Sequence, residues 1–530
     1  GNVAVGYSAL NADCGNDNTA IGRSALTVFT GSGATAVGSG AGVAATGATV
    51  FTAVGSNAAQ RLAGGLETTA IGADSLAYAV DNDHNTAVGY AAGHQTTGNR
   101  NSFFGVGAGS FATSVDDCVA IGYQALKALD DAGDNSDNAT GNANIAIGNY
   151  SLDATTAGSQ NTAIGQNALT NLTVNHNNVA VGYAAGQDVI GDSNVVLGSH
   201  AAYDAGDIDH CIVIGRSAMQ GDGSTAPSGN HNIAIGSYTL DAITTGASNI
   251  AIGYNAGTTL INSNNNIAIG HQALEGEDLS HGNVAIGYQT LQDQNSTVAN
   301  NVAVGYQAAL NLSSGKDSVY MGYLAGGVGV ITGARNVVIG KGAGLNATSP
   351  DNCVYIGEMA AGSGVATGND NVIIGKEAGY DLTSGASNVL IGREAGTNLR
   401  DAVENVVIGH GAMAAAAGTT AAGTRGDSCV VIGQDALATE ATGADGVVAI
   451  GAAALKYQNI ALANNTAVGF NAATNLSSGK NSVYMGYNAG GVGTITGANN
   501  VVLGSNAALN ATGMNHSIVI GTNANNVGVN

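Results

Sequence analysis

The sequence predicts an all-β chain folded as a parallel β-solenoid (β-roll) of about 30 coils with a period near 17 residues. Three observations predict it. A glycine recurs in phase along the whole chain, a short apolar run precedes each glycine, and a polar return follows it. The unit is clearest at Asn161-Thr-Ala-Ile-Gly165-Gln-Asn-Ala-Leu169. With its glycine as anchor the unit occurs 30 times, Gly6, Gly22, Gly165, Gly270 and Gly392 among them. Of the 29 spacings, 26 are 16, 17 or 18 residues; the others are 26, 21 and 24. So strict a period leaves no room for a separate globular domain, and residues 1–530 read as one continuous repeat region. The chain opens inside a repeat, which points to an excerpt of a longer protein.

Each period resolves into elements in order. The residues one and three before the anchor are mostly Val, Ile or Thr and share parity, so they lie on one face of a strand. The residue between them is Ala in 17 of 30 copies, so the other face is non-polar too. A strand apolar on both faces is expected to be buried on both. Ala occupies the third place after the anchor in 26 of 30 copies, followed mostly by Leu, Ala or Gly, which reads as a second short strand. About eight polar residues then return the chain. Tetratricopeptide and ankyrin units are about twice as long and helical, and leucine-rich repeats need several leucines per unit. Near-constant Ala makes each coil thin, and a thin coil buries little area, worth roughly 25 cal/mol per Å². Stacking and association offset this. The expectation is a homotrimer whose strands face a shared axis, with Ala163→Lys or Ala251→Lys disturbing assembly or packing.

Composition excludes other classes. With 82 Gly but 2 Pro the chain is neither collagen nor a Pro/Gly-rich disordered segment. Fourteen basic against 37 acidic residues give a net charge of −23, which repels nucleic acid. No apolar run is long enough for a membrane helix, so no membrane insertion is expected of this segment.

The residue four before the anchor is Asn in 19 copies. Asn2, Asn18, Asn85, Asn161, Asn249, Asn283 and Asn388 read as a structural ladder, because stacked amides hydrogen-bond from coil to coil. Cys118, Cys211, Cys353 and Cys429 occupy the same place. At about 4.8 Å per coil they stand roughly 19 Å or more apart, too far for a disulfide. The ten His form no metal-ligand spacing and no Ser/His/Asp set stands out, so no catalytic, cofactor or metal residues are assigned. Tyr follows the anchor nine times, as at Tyr90, Tyr123, Tyr288, Tyr306 and Tyr323, either packing on itself between coils or offering rings to sugars. The long spacings mark insertions at 127–142, 220–229 and 414–427. The first carries Asp130, Asp131, Asp134 and Asp137, read as a solvated acidic loop rather than a Ca²⁺ site. Insertions in solenoids map to surface loops, which is where recognition is expected.

The motif Asn-x-Ala-Ile-Gly-x-x-Ala resembles the head repeat of trimeric autotransporter adhesins. The longer form with Ala-Leu and a Thr/Asn/Gly-rich return, as at Gly270-His-Gln-Ala-Leu274, is similar to repeats of phage and virus tail fibres. The resemblance covers essentially the whole chain, although these coils are longer than adhesin-head coils. It implies a trimeric extracellular fibre, on a virion or a cell surface, contacting host glycans or receptors. A β-solenoid polysaccharide-degrading enzyme is the weaker alternative, because such enzymes use wide coils with clustered charges. Ice binding calls for a Thr-x-Thr array, and Thr occurs here one position at a time. Asn311–Gly322 recurs almost unchanged as Asn475–Gly486, a block copy that lengthens a fibre without redesigning it.

Overall fold

The computed structural model describes residues 1–524 except 48, 81–82, 128–139, 222, 224, 277–279, 295–298, 328, 415–425, 440–444, 459–462 and 492. The chain is an all-β solenoid with thirty three-residue strands among the described residues. It divides into two compact units, Gly1–Asn265 and Asn266–Asn530. Unit one holds fifteen strands, from Val3–Val5 to Ile250–Ile252; unit two holds fifteen, from Ile267–Ile269 to Ile518–Ile520. Within each unit every strand pairs in parallel with the next along the chain, in register. Thr162–Ile164, for example, lies between Ile145–Ile147 and Val179–Val181 with Ala146, Ala163 and Ala180 aligned. A period of one coil per strand makes this register automatic, since a slip would break every column at once.

The two strand faces are not alike. The middle residue of each strand points into its own coil, and Ala163, Ala251 and Ala285 are fully buried. The flanking residues point outward and stay partly exposed, Ile164 at 37% and Met321 at 41%. Of the two apolar faces, the Ala side forms the chain's own core, and the Val/Ile side is open in the single chain. Lysine at 163 or 251 would break the coil itself rather than an assembly.

The second expected strand is corrected. The residues after the anchor form consecutive turns with alternate residues in the left-handed region, such as Asn167 at φ 59° and Leu169 at φ 48°. A non-glycine residue there costs roughly 1–2 kcal/mol. It persists because the stack over-determines it. The Asn167 N–H donates to the Asn149 carbonyl one coil back (3.0 Å), and the Leu169 N–H donates to the Ala185 carbonyl one coil on (3.0 Å). The backbone thus satisfies itself between coils without extended geometry. The alternating handedness turns the side chains of Ala168 and Leu169 inward together, which a strand would not do.

The anchor must be glycine for two reasons visible at Gly165. Its φ is 139°, and a Cβ there would lie 2.2 Å from the carbonyl oxygen of Gly182 in the next coil. Inside the coil, the residue two before the anchor and the residue four after it share one volume. Ten of the 17 coils with Ala inside the strand take Leu, as in Ala163 with Leu169, Ala120 with Leu126 and Ala285 with Leu291. Several coils with a large residue there take glycine, whereas Tyr355 sits with Ala361. A Cβ on Gly109 would meet the Phe103 ring at 2.7 Å, one on Gly326 the Tyr320 ring at 2.7 Å, and one on Gly490 the Tyr484 ring at 2.8 Å. Close packing tolerates these swaps because summed volume is held.

Candidate binding groove beside the first insertion

Two side-chain ladders hold the returns and decide which residues remain for other work. In the first, the amide oxygen of each Asn accepts from the backbone N–H of its equivalent one coil on. Asn161 Oδ1 accepts from Asn178 N (2.9 Å), while Asn161 N–H donates to Asn144 Oδ1 (2.9 Å) and Asn161 Nδ2 to the Asn175 carbonyl (2.9 Å). Asn2 and Asn18 accept in the same way from Asn18 N and Ala34 N, and Asn85 from Asn101 N. Asn249 N–H donates to Asn232 Oδ1, Asn283 N–H to Asn266 Oδ1 and Asn388 N–H to Asn371 Oδ1. Most are fully buried, so their polar groups need these partners.

At Cys118, Cys211 and Cys353 the sulfur takes over as acceptor, from Asn144, Asn232 and Asn371 N–H at 3.4 Å each. All five cysteines are free thiols. Burial pushes the Cys118 and Cys211 thiols up to about 11, opposite to what a nucleophile or metal ligand needs.

The second ladder runs the other way and had no single-residue signature. Two residues before many of the Asn positions, Asp, Asn, Ser or His accepts from the N–H one coil back. Asn99 N–H donates to Asp116 Oδ1 (2.6 Å), Asp116 N–H to Asn142 Oδ1 (2.8 Å), Asn142 N–H to Ser159 Oγ (3.0 Å) and Ser159 N–H to His176 Nδ1 (2.9 Å). Asp116, Asp192, Asp209, Asp351 and His176 of the returns therefore carry backbone hydrogen bonds. No group of three or more metal-ligating side chains occurs among the described residues.

The tyrosines after the anchor split into two behaviours. In unit two His271, Tyr288, Tyr306 and Tyr323 stack as a column, with centroids 5.1–5.2 Å apart and planes within 15°. Beside it Gln289 Nε2 donates to Gln272 Oε1 (3.0 Å) and Gln307 Nε2 to Gln289 Oε1 (2.7 Å). In unit one the coil between Tyr90 and Tyr123 carries Val106-Gly107 instead. The missing bulk leaves a groove of about 360 Å³ lined by Asp74, Tyr90, His94, Val106, Gly107, Ser110, Phe111, Tyr123, Gln124 and Lys127. Lys127 is the residue at which the first insertion begins.

Burial holds the His94 imidazole below its ordinary value, with the nearby Asp74 carboxylate partly opposing, so the ring is neutral near pH 7. Asp74 also accepts from Asn57 Nδ2 (3.2 Å). A second recess, about 320 Å³, lies at the second insertion between Asp188, Asp204, Gly206, Gly223 and Ala226, without an aromatic ring. Burial, reinforced by Asp188, raises the Asp204 carboxyl.

The acidic residues of the first insertion, Asp130 to Asp137, and most of the third insertion lie outside the described residues. No protein-family model matches the chain, and no curated protein matches it. The fold alone therefore defines its class, a parallel β-solenoid repeat protein.

Proposed function

We propose that the chain is a segment of a structural and adhesive fibre, a homotrimeric rod displayed outside a virion or cell to hold a contact surface at a distance. Tail fibres of viruses are the first context and bacterial surface adhesins the second, on the strength of the repeat resemblance. The observation that carries the reading is the outward strand face. In unit two, eleven consecutive strands from Ile267–Ile269 to Val448–Ile450 present only Val, Ile or Met outward, two per coil.

A fully exposed aliphatic side chain has roughly 60–120 Å² to bury, from 1.5–3 kcal/mol at 25 cal/mol per Å². Ile286 and Met321 are 37% and 41% exposed and the other side chains of these columns less, so together they leave on the order of 500 Å². That is the size of the largest contiguous patch of a typical monomer, which is often a functional surface. A three-fold axis parallel to the stack turns the same face of every copy inward and closes the assembly. The reading contains no catalytic step.

The test is a pair of substitutions on the open face, Ile339→Lys with Ile374→Lys. Loss of association with coil structure retained by circular dichroism is expected. Unchanged association of the doubly substituted chain would move the interface elsewhere and remove this support.

A further inference from the structure

We propose that the groove between Tyr90 and Tyr123 is a binding site for an uncharged sugar unit of a glycan, at the place where two tyrosines stand two coils apart across Val106-Gly107. The inference deepens the adhesive part of the fibre reading by naming the ligand class and its site.

Three features converge. The first is shape. Tyr90 and Tyr123 occupy equivalent places two coils apart, about 9.6 Å along the stack. Val106 and Gly107 form the floor between them, and the cavity of about 360 Å³ lies within the range of small-ligand sites. Gly107 is decisive, since most other coils carry a side chain at this place and the stacked coils of unit two carry Gln272, Gln289 and Gln307.

The second is chemistry. Tyr90, Phe111 and Tyr123 supply apolar ring surface for the C–H face of a pyranose. Asp74, Ser110, Gln124 and the neutral imidazole of His94 supply donors and acceptors at the scale of sugar hydroxyls. A purely apolar ligand would strip water from those groups without replacing its hydrogen bonds, which is costly.

The third is charge. One carboxylate, Asp74, and one ammonium, Lys127, make the lining neutral within a chain of net charge −23. The long-range field of that chain disfavours anionic glycans.

The groove uses residues that follow the anchors, whereas the open apolar face uses residues that precede them. Assembly and sugar binding therefore occupy different columns. In a trimer the groove appears three times at one height, so a weak single contact becomes an avid one.

The experiment is saturation-transfer NMR and calorimetric titration of the full chain. The probes are methyl glucoside, galactoside and mannoside, N-acetylglucosamine and short oligomers of each, with sialyllactose and a heparin hexasaccharide as anionic probes. Binding of at least one neutral probe is expected. It should weaken tenfold or more in Tyr90→Ala and in Tyr123→Ala, weaken severalfold in Asp74→Asn, and stay unchanged in Tyr288→Ala. All four side chains are at the surface, and matching circular dichroism spectra establish that the variants fold. No neutral probe binding, binding indifferent to Tyr90 and Tyr123, or tighter binding of the anionic probes would each overturn the proposal. A chain that assembles yet binds no sugar removes this inference and leaves the fibre. A monomer that binds sugar through Tyr90 does the reverse.

Discussion

Residues 84–127 of unit one and residues 266–327 of unit two are written in the same period, yet they differ inside and outside in opposite ways. Inside, the difference is compensated. Phe103 replaces the usual Ala, and Gly93 and Gly109 give up their side chains to it, Cβ positions there lying 2.9 and 2.7 Å from its ring. In unit two Ala268 and Ala285 sit with Leu274 and Leu291, and the coil is equally full. Outside, the difference is not compensated. The ring column from His271 to Tyr323 is continuous, whereas in unit one Tyr90 and Tyr123 flank Val106-Gly107 and leave a groove. The core must conserve volume, but the surface has no such constraint. A site on a repeat protein therefore arises where an outer column breaks while the inner one does not.

The comparison can be broken from inside with the largest effect. Phe103→Ala leaves a cavity flanked by two glycines that have nothing to fill it, and should cost roughly 3–5 kcal/mol. Stability in a solenoid is local, so the readout is hydrogen exchange at Ser102–Phe104 and its neighbours Thr86–Val88 and Val119–Ile121, where protection should fall together. The companion Gly109→Leu in the Phe103→Ala background recreates an Ala/Leu coil and should recover much of the loss.

A smaller effect is expected on the outer column. Tyr306→Ala removes two ring contacts and should cost roughly 1–2 kcal/mol, read in the same exchange experiment across Val302–Val304. Val106→Tyr sharpens the contrast from the other side. It restores a ring between Tyr90 and Tyr123, should change stability by only about 0.5 kcal/mol as a surface substitution, and should abolish neutral-sugar binding by filling the groove.

The smallest effect is a pH dependence. The folded-state pKa of His94 lies below its ordinary value of 6.5, mainly through burial. The folded chain therefore binds that proton less readily than the unfolded one. The stability difference is absent above the ordinary value and grows as pH falls below it, levelling once pH passes the folded value. Melting of the wild type should fall more steeply between pH 7 and 5 than that of His94→Gln.

The period, the parallel register and the single strand direction were all legible in the sequence, because each depends on a residue repeated thirty times. The Asn column was legible for the same reason. Four features were not. The outward turn of Val and Ile follows from coil closure, which alternation alone cannot orient when both faces are apolar. The turns after the anchor imitate a strand because Ala168 and Leu169 both look inward. That pattern requires left-handed residues, and Leu169 carries none of the usual marks of one. The second ladder mixes Asp116, Asn142, Ser159 and His176, four residue types with one shared role as acceptor. The groove is marked in sequence only by an omission, Val106-Gly107 where neighbouring coils carry larger pairs.

The central claim is that the open Val/Ile face is covered by two further copies of the chain. Sedimentation equilibrium of the intact protein at micromolar concentration tests it most directly. Three chains of 51.7 kDa give about 155 kDa, the single mass the account predicts across a tenfold dilution. A stable, soluble species at the 51.7 kDa of one chain, with its apolar columns bare, would contradict it.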